Sequence, residues 1–270
     1  MLSSVIAAHQ YGLGQTGPLL HYFLTFAWLV YAFETWLDWR QHKMYAVRTK
    51  PNSITYATQE EFAKAQAYGH DKSSLHFVSA LWSTIKMTLQ FYYGYYPLMW
   101  SISGALLKHF GFGPEYELTQ SVVVFYILDA ALETLLSLPL QIYSTFVIEQ
   151  RHGFNKQTAG LFASDTVKGL MLNCIIAPPL LALFIRVIQW GGEHFYLYVS
   201  ALLLVVQLLA VPFYSNVIQP CFNKVEPLPQ GTLRESIEQL AQRVSFPLTG
   251  LFVIDGSKRS SHSNAYFYGA

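Results

Sequence analysis

L-T-Q-S-V-V-V-F-Y-I-L-D-A-A-L-E-T-L-L-S-L-P-L-Q-I-Y-S-T-F-V, from Leu118 to Val147, carries only two charges, Asp129 and Glu133. A bilayer is crossed by roughly 20 mostly apolar residues in a helix, and this run exceeds that. Asp129 and Glu133 stand four residues apart and share one helix face. Two acids at membrane depth are costly and face either water or a partner on a neighbouring helix. The residues alone leave both open.

Four further runs have comparable length and apolarity, centred on Leu19–Leu37, Met87–Leu107, Gly169–Trp190 and Phe195–Asn216. The second is expected to begin as an amphipathic helix near Ser74, with Lys86 at the interface. Pro178-Pro179 and Pro212 predict kinks, which neighbours in a membrane bundle can satisfy. The fold class expected is mainly α: a polytopic α-helical membrane protein of about five spans, ending in the start of an α+β unit. Composition agrees, with 52% hydrophobic and 12% charged residues and a positive mean hydropathy, against about 25% charged in soluble domains. A net charge of +1 gives no basis for nucleic-acid binding. Cys174 and Cys221 are too few for a disulfide framework. Met1 to Pro18 holds no Lys or Arg, so it lacks a signal peptide's basic start and the first span is expected to persist.

Fifteen of the 17 Lys and Arg residues fall in the segments 34–86, 148–168 and 217–270, with Lys108 and Arg186 on the opposite side. The positive-inside rule then puts those segments in the cytosol and the N-terminus in the lumen. The expected domains are a membrane domain over 1–216, with cytosolic loops at 34–86 and 148–168, and an incomplete second domain over 217–270.

In that second part, Pro220 to Gly231 reads as a Pro-rich linker. Thr232-Leu233-Arg234-Glu235 has the form of a capping box, followed by an apolar helix face at Leu233, Ile237, Leu240, Ala241 and Val244. Leu251 to Ile254 reads as a buried strand, Asp255-Gly256 as a turn, and Asn264 to Tyr268 as a second strand. The small Ala265 leaves backbone open for an extended peptide to pair with, although an ordinary hairpin explains the same residues.

Two polar stretches stand out upstream. Phe33 to Lys43, F-E-T-W-L-D-W-R-Q-H-K, reads as an interfacial aromatic belt with basic anchors. Glu149 to Thr158, E-Q-R-H-G-F-N-K-Q-T, packs His152, Asn155, Lys156 and Gln157 into one short loop, which a solvated surface turn also explains.

Three stretches carry a resemblance: F-E-T-W-L-D-W-R-Q-H-K, H-G-F-N-K-Q-T, and D-G-S-K-R-S-S-H-S-N-A-Y-F-Y-G from Asp255 to Gly269. In this order, with two spans between the first two taken in sequence, the chain from Phe33 to Gly269 resembles the CAAX prenyl protease 1 family. These are integral-membrane zinc metalloendopeptidases that process farnesylated proteins. The resemblance implies a ring of helices around an aqueous chamber, which Asp129 and Glu133 would line. It further implies substrate binding by His262, Asn264, Ala265 and Tyr266, with Asn264 and Ala265 on the edge strand, and a site-positioning loop of His152, Asn155 and Lys156. Farnesylated C-a-a-X proteins and membrane lipid would be the partners, and the endoplasmic reticulum membrane or inner nuclear membrane the location. The resemblance places the family's zinc helix just downstream of Gly269.

Such an enzyme needs H-E-x-x-H, two His holding the metal and a Glu activating water. None of the nine histidines is followed by Glu, and no two stand four residues apart. The expectation is therefore zinc in the complete enzyme, none bound by this chain alone, no catalytic residue within it and no cleavage by it. A partial gene model or an alternative product would both give such a chain. Two other readings stay open: a non-catalytic membrane short form that binds prenylated substrate or a partner, and a transporter or channel, for which inverted repeats would be the sign.

Overall fold

The computed structural model describes residues 18–47, 49–112, 117–262 and 265, with backbone alone for 117–121. Six long helices come first: α1 Pro18–Met44, α2 Gln59–Tyr92, α3 Tyr95–His109, α4 Glu117–Tyr143, α5 Ala159–Gly191 and α6 Phe195–Phe213. Then come strand β1 Val225–Pro227, helix α7 Thr232–Arg243 and strand β2 Phe252–Ile254. α4 continues through a π-helical turn, Ser144–Glu149, and α6 through another, Tyr214–Ile218. By length and apolarity alone, Val122–Glu149 and the helical path Ala159–Phe222 suit a membrane crossing.

The chain divides into two compact units. One holds the chain up to Gly153 together with Leu170–Arg186; the other holds Phe154–Gly169 and Val187 onward. In the first, α1 packs on α2, α2 on α3, and α3 on α4. Side chains tie these contacts: the Trp28 indole donates to Thr88 Oγ1 at 3.1 Å, and His76 Nε2 lies 2.9 Å from an Asp38 carboxylate oxygen. The Gln66 amide donates to the Met44 and Val47 carbonyls, closing the end of α1. Deeply buried side chains are few (Ser103, Leu107, Ile148 and Pro178 in this unit), while Leu19, Phe26 and Leu29 are 64–80% exposed. Apolar residues that face outward along a whole helix are what a bilayer solvent requires.

The second span is not one helix. It breaks at Gly94, whose φ of 64° is left-handed, a conformation that glycine alone adopts at no steric cost. α3 restarts at Tyr95, with Pro97 in its first turn, where a missing N–H is harmless. The capping box also lies elsewhere than the sequence suggests. α7 has Gly231 at its N-cap with no side-chain bond, leaving Thr232 already inside the helix. The capping box that forms is Thr58/Glu61 at the start of α2: Thr58 Oγ1 accepts from the Glu61 amide, and the Glu61 carboxylate from the Thr58 amide.

Within 220–231, expected as linker, Val225–Pro227 pairs antiparallel with β2, in the register Val225↔Ile254, Glu226↔Val253 and Pro227↔Phe252. An edge strand tolerates Pro227 because its missing donor faces away from the ladder. β2 is a strand but not a buried one: Phe252 is 62% exposed, since a two-stranded ribbon covers neither face by itself. The expected strand 264–268 lies outside the described residues apart from Ala265, which is exposed.

Candidate functional site

The loop after α4 and the turn after β2 meet inside the second unit. Asn155 and Ser260 form an isolated antiparallel bridge, closed by Lys156 N–H to the Arg259 carbonyl at 3.1 Å and Ser261 N–H to the Phe154 carbonyl at 2.9 Å. The Phe154 ring lies over His262 with centroids 3.9 Å apart. Two of the polar stretches singled out in the sequence, about a hundred residues apart, are therefore neighbours in space.

Local chemistry explains the shape of H-G-F-N-K-Q-T. Gly153, at φ 76°, ends the helical path from α4 in the left-handed stop typical of helix C-termini. Asn155 Oδ1 accepts from the Gln157 amide at 2.8 Å, an Asx turn. Thr158 is the N-cap of α5, its hydroxyl accepting from Leu161 N–H. Gln157 donates to Asp165 on the second turn of α5 at 2.8 Å. Lys156 is exposed, although its backbone is pinned.

Arg259 anchors the other side. Its Nε and Nη2 donate to the two Asp165 carboxylate oxygens at 2.6 and 2.8 Å. Nη1 donates to Asn223 Oδ1 at 2.6 Å, and Nη2 also to the Phe222 carbonyl at 2.7 Å. The guanidinium fork matches a carboxylate bidentately. Both side chains are largely buried, and the Asp165 carboxylate raises the Arg259 pKa above its already high ordinary value.

His152 belongs to a different cluster, in the first unit. Asp71 on α2 accepts from Arg151 Nη1 at 2.8 Å and contacts His152 Nε2 at 3.0 Å. Beside it, Glu149 accepts from the Tyr68 hydroxyl at 2.6 Å and from Lys72 Nζ at 3.1 Å. Tyr68, Asp71 and Lys72 share a face of α2 through i, i+3, i+4 spacing. The His152 hydrogen bond, outweighing the cost of burial and aided by Arg151, holds the Asp71 carboxyl below the usual carboxylate range. Burial and the Glu149 carboxylate push the Tyr68 phenol up.

The acids of α4 have partners. Asp129 accepts from the Tyr95 hydroxyl at 2.9 Å, and Glu133 from Gln90 at 2.9 Å and from Lys86. Trp36 and Trp39 take Arg40 and Lys43 over their rings. Asn264 and Tyr266 lie outside the described residues. Sequence reasoning missed Asp165, Asn223 and Arg259; Arg259 stood within a quoted stretch, but nothing local pointed to its partners.

Comparison with known proteins follows this geometry. Residues 41–224 match the family model described as CAAX prenyl protease N-terminal, five membrane helices, and residues 227–270 match peptidase family M48. A Homo sapiens CAAX prenyl protease 1 homolog is 44% identical over 248 residues, covering 91% of this chain and 52% of that protein. The Arabidopsis thaliana homolog is 42% identical over 93% of this chain and 59% of its own length. The Saccharomyces cerevisiae CAAX prenyl protease 1 is 37% identical over 88% and 53%. The crystal structure of S. mikatae Ste24p superposes with a TM-score of 0.86 at 35% identity, covering 94% of this chain and 59% of that one. The chain thus spans between about half and three-fifths of the length of these relatives. With membrane helices matched first and peptidase sequence after them, this polytopic α-helical membrane protein belongs to the CAAX prenyl protease 1 family of M48 metallopeptidases.

Proposed function

We propose that the chain forms the membrane-embedded and substrate-guiding part of a CAAX prenyl protease, acting on proteins whose C-terminal C-a-a-X cysteine is farnesylated. The observation that carries this reading is the pairing of Phe154–Lys156 with Arg259–Ser261. It anchors the chain up to Ser261, upstream of Ala265, an exposed residue whose main chain would pair with an extended peptide. Asn264 would donate to and accept from that peptide, with His262 and Tyr266 beside it. Lys156, exposed on the same paired segment, supplies a cation for the substrate's terminal carboxylate. Residues 217–270 would open the peptidase domain, consistent with the family match over 227–270.

Zinc would serve the complete enzyme. Among the described residues no three His, Cys, Asp or Glu side chains group as a metal site, and the roles proposed for the residues named above are binding and positioning. The test is titration of a fluorescent farnesylated C-a-a-X peptide into the purified chain in lipid nanodiscs, with zinc content measured alongside. Saturable binding, weakened well beyond tenfold by Ala265→Pro, which removes a backbone donor and also fixes φ, is the expected result. Equal affinity for the unprenylated peptide, or one tightly held zinc per chain, would overturn it.

The segments 34–86, 148–168 and 217–270 are assigned to the cytosolic face of the endoplasmic reticulum membrane, on the strength of the charge distribution. A glycosylation acceptor inserted near Gly14 is expected to be modified in microsomes and one near Ser53 not; the reverse pattern sinks this orientation.

A further inference from the structure

The bridge between Asn155 and Ser260 rests on two backbone hydrogen bonds. A pairing that short is marginal in water, and a slip of one residue would turn every following side chain to the opposite face. Something else must hold the register. Arg259 lies next to the bridge and is bound at both ends: its carbonyl accepts from Lys156 N–H, while its guanidinium grips Asp165 in two bonds and reaches Asn223 and the Phe222 carbonyl. Asp165 is itself fixed on α5 and takes a further bond from Gln157, one residue beyond Lys156. The guanidinium thereby ties three separate stretches of chain to one point, two residues before the bridge's last bond at Ser261.

We propose that Arg259 and Asp165 are positioning residues whose ion pair sets the register of the 259–262 segment against Phe154–Lys156, and through it the register in which an extended peptide adds at Ala265. The second half of this inference rests on the reading of that edge as the substrate's. Lysine cannot replace Arg259, because an ammonium on a flexible stem lacks the planar fork that meets both carboxylate oxygens and the Asn223 amide oxygen together.

Register can be read directly by cysteine cross-linking in the full chain. Asn155 and Ser260 are a pair of the close, non-hydrogen-bonded kind, with Cα atoms about 4.5 Å apart, within disulfide range. With Cys174→Ser and Cys221→Ser as background, Asn155→Cys is combined with Ser260→Cys or, for a one-residue slip, with Ser261→Cys. The expected ratio of the first cross-link to the second is at least about tenfold in the parental chain. Arg259→Lys, and independently Asp165→Asn, should bring it towards one and weaken farnesylated-peptide binding about tenfold. Oxidising the 155–260 pair in the Arg259→Lys background should bring the affinity back to that of the same cysteine pair with Arg259 intact, a rescue that a direct contact of Arg259 with peptide would not give. An unchanged ratio in both variants overturns the clamp, and so does a locked pair that fails to restore binding. Because the ratio is read without peptide, a parental chain that binds none counts against the proposed function, while the ratio still decides the clamp.

Discussion

Glu133→Leu is expected to destabilise the protein by about 3 kcal/mol, the low end for removing one partner of a buried ion pair. Glu133 on α4 takes Lys86 and Gln90 from α2, and neither charged side chain is more than about a third exposed. Removing the carboxylate leaves the partly buried Lys86 ammonium with its charge uncompensated. The double variant Lys86→Leu with Glu133→Leu removes both charges and should recover most of the loss, because apolar replacement of a whole buried pair is often neutral. Denaturant unfolding in a fixed detergent, followed by helical circular dichroism, gives all four corners of the cycle. A single variant no worse than the double would mean that the pair stays hydrated and contributes little.

Asp71→Asn should cost about 1.5–3 kcal/mol at neutral pH, the usual worth of hydrogen bonds to a charged group, since Asp71 receives both Arg151 and His152. The pH dependence carries the sign. Asp71 has a folded pKa below its ordinary value, so its stabilisation is complete above the unfolded value of about 3.9. It is lost as pH falls through the lowered folded value. Melting temperatures measured between neutral pH and about pH 3 should therefore drop more steeply for the parental chain than for Asp71→Asn. Parallel curves would remove Asp71 from the account of acid stability.

α4, α5 and α6 were legible because their apolar runs are long enough to span a bilayer, a signal carried by composition alone. The break at Gly94 was not, since the turn is only two residues long and lies inside one aromatic-rich run; Gly94 followed by Pro97 was the available sign. β1 was hidden because Val225-Glu226-Pro227 lies among prolines that read as linker, and its partner is 25 or more residues away. The capping box read at Thr232 fits the local sequence, yet the helix starts one residue earlier and takes Thr232 into its first turn. For the site, H-G-F-N-K-Q-T and the Asp255–Gly269 stretch were both found from their residues, but their pairing was not. Asp165 and Arg259 stand 94 positions apart, and no periodicity or spacing links them.

The π-helical turn at Ser144–Glu149 sets a limit on how this chain can change length. A π-turn holds one residue more than an α-helical turn, and here the surplus sits around Ile148, which is only 2% exposed. Deleting one residue of the turn lets the helix close into regular α geometry while the chain beyond it keeps nearly its original facing, because only the surplus residue is lost. The same deletion in the α-helical part of α4 has no surplus to draw on: it swings everything after it by about 100°. Glu149 would then leave Tyr68 and Lys72, and Arg151 and His152 would leave Asp71, with no atom of those side chains altered. Gaps between diverging copies of this sequence should therefore gather in the loops and at this turn, and spare the rest of α4.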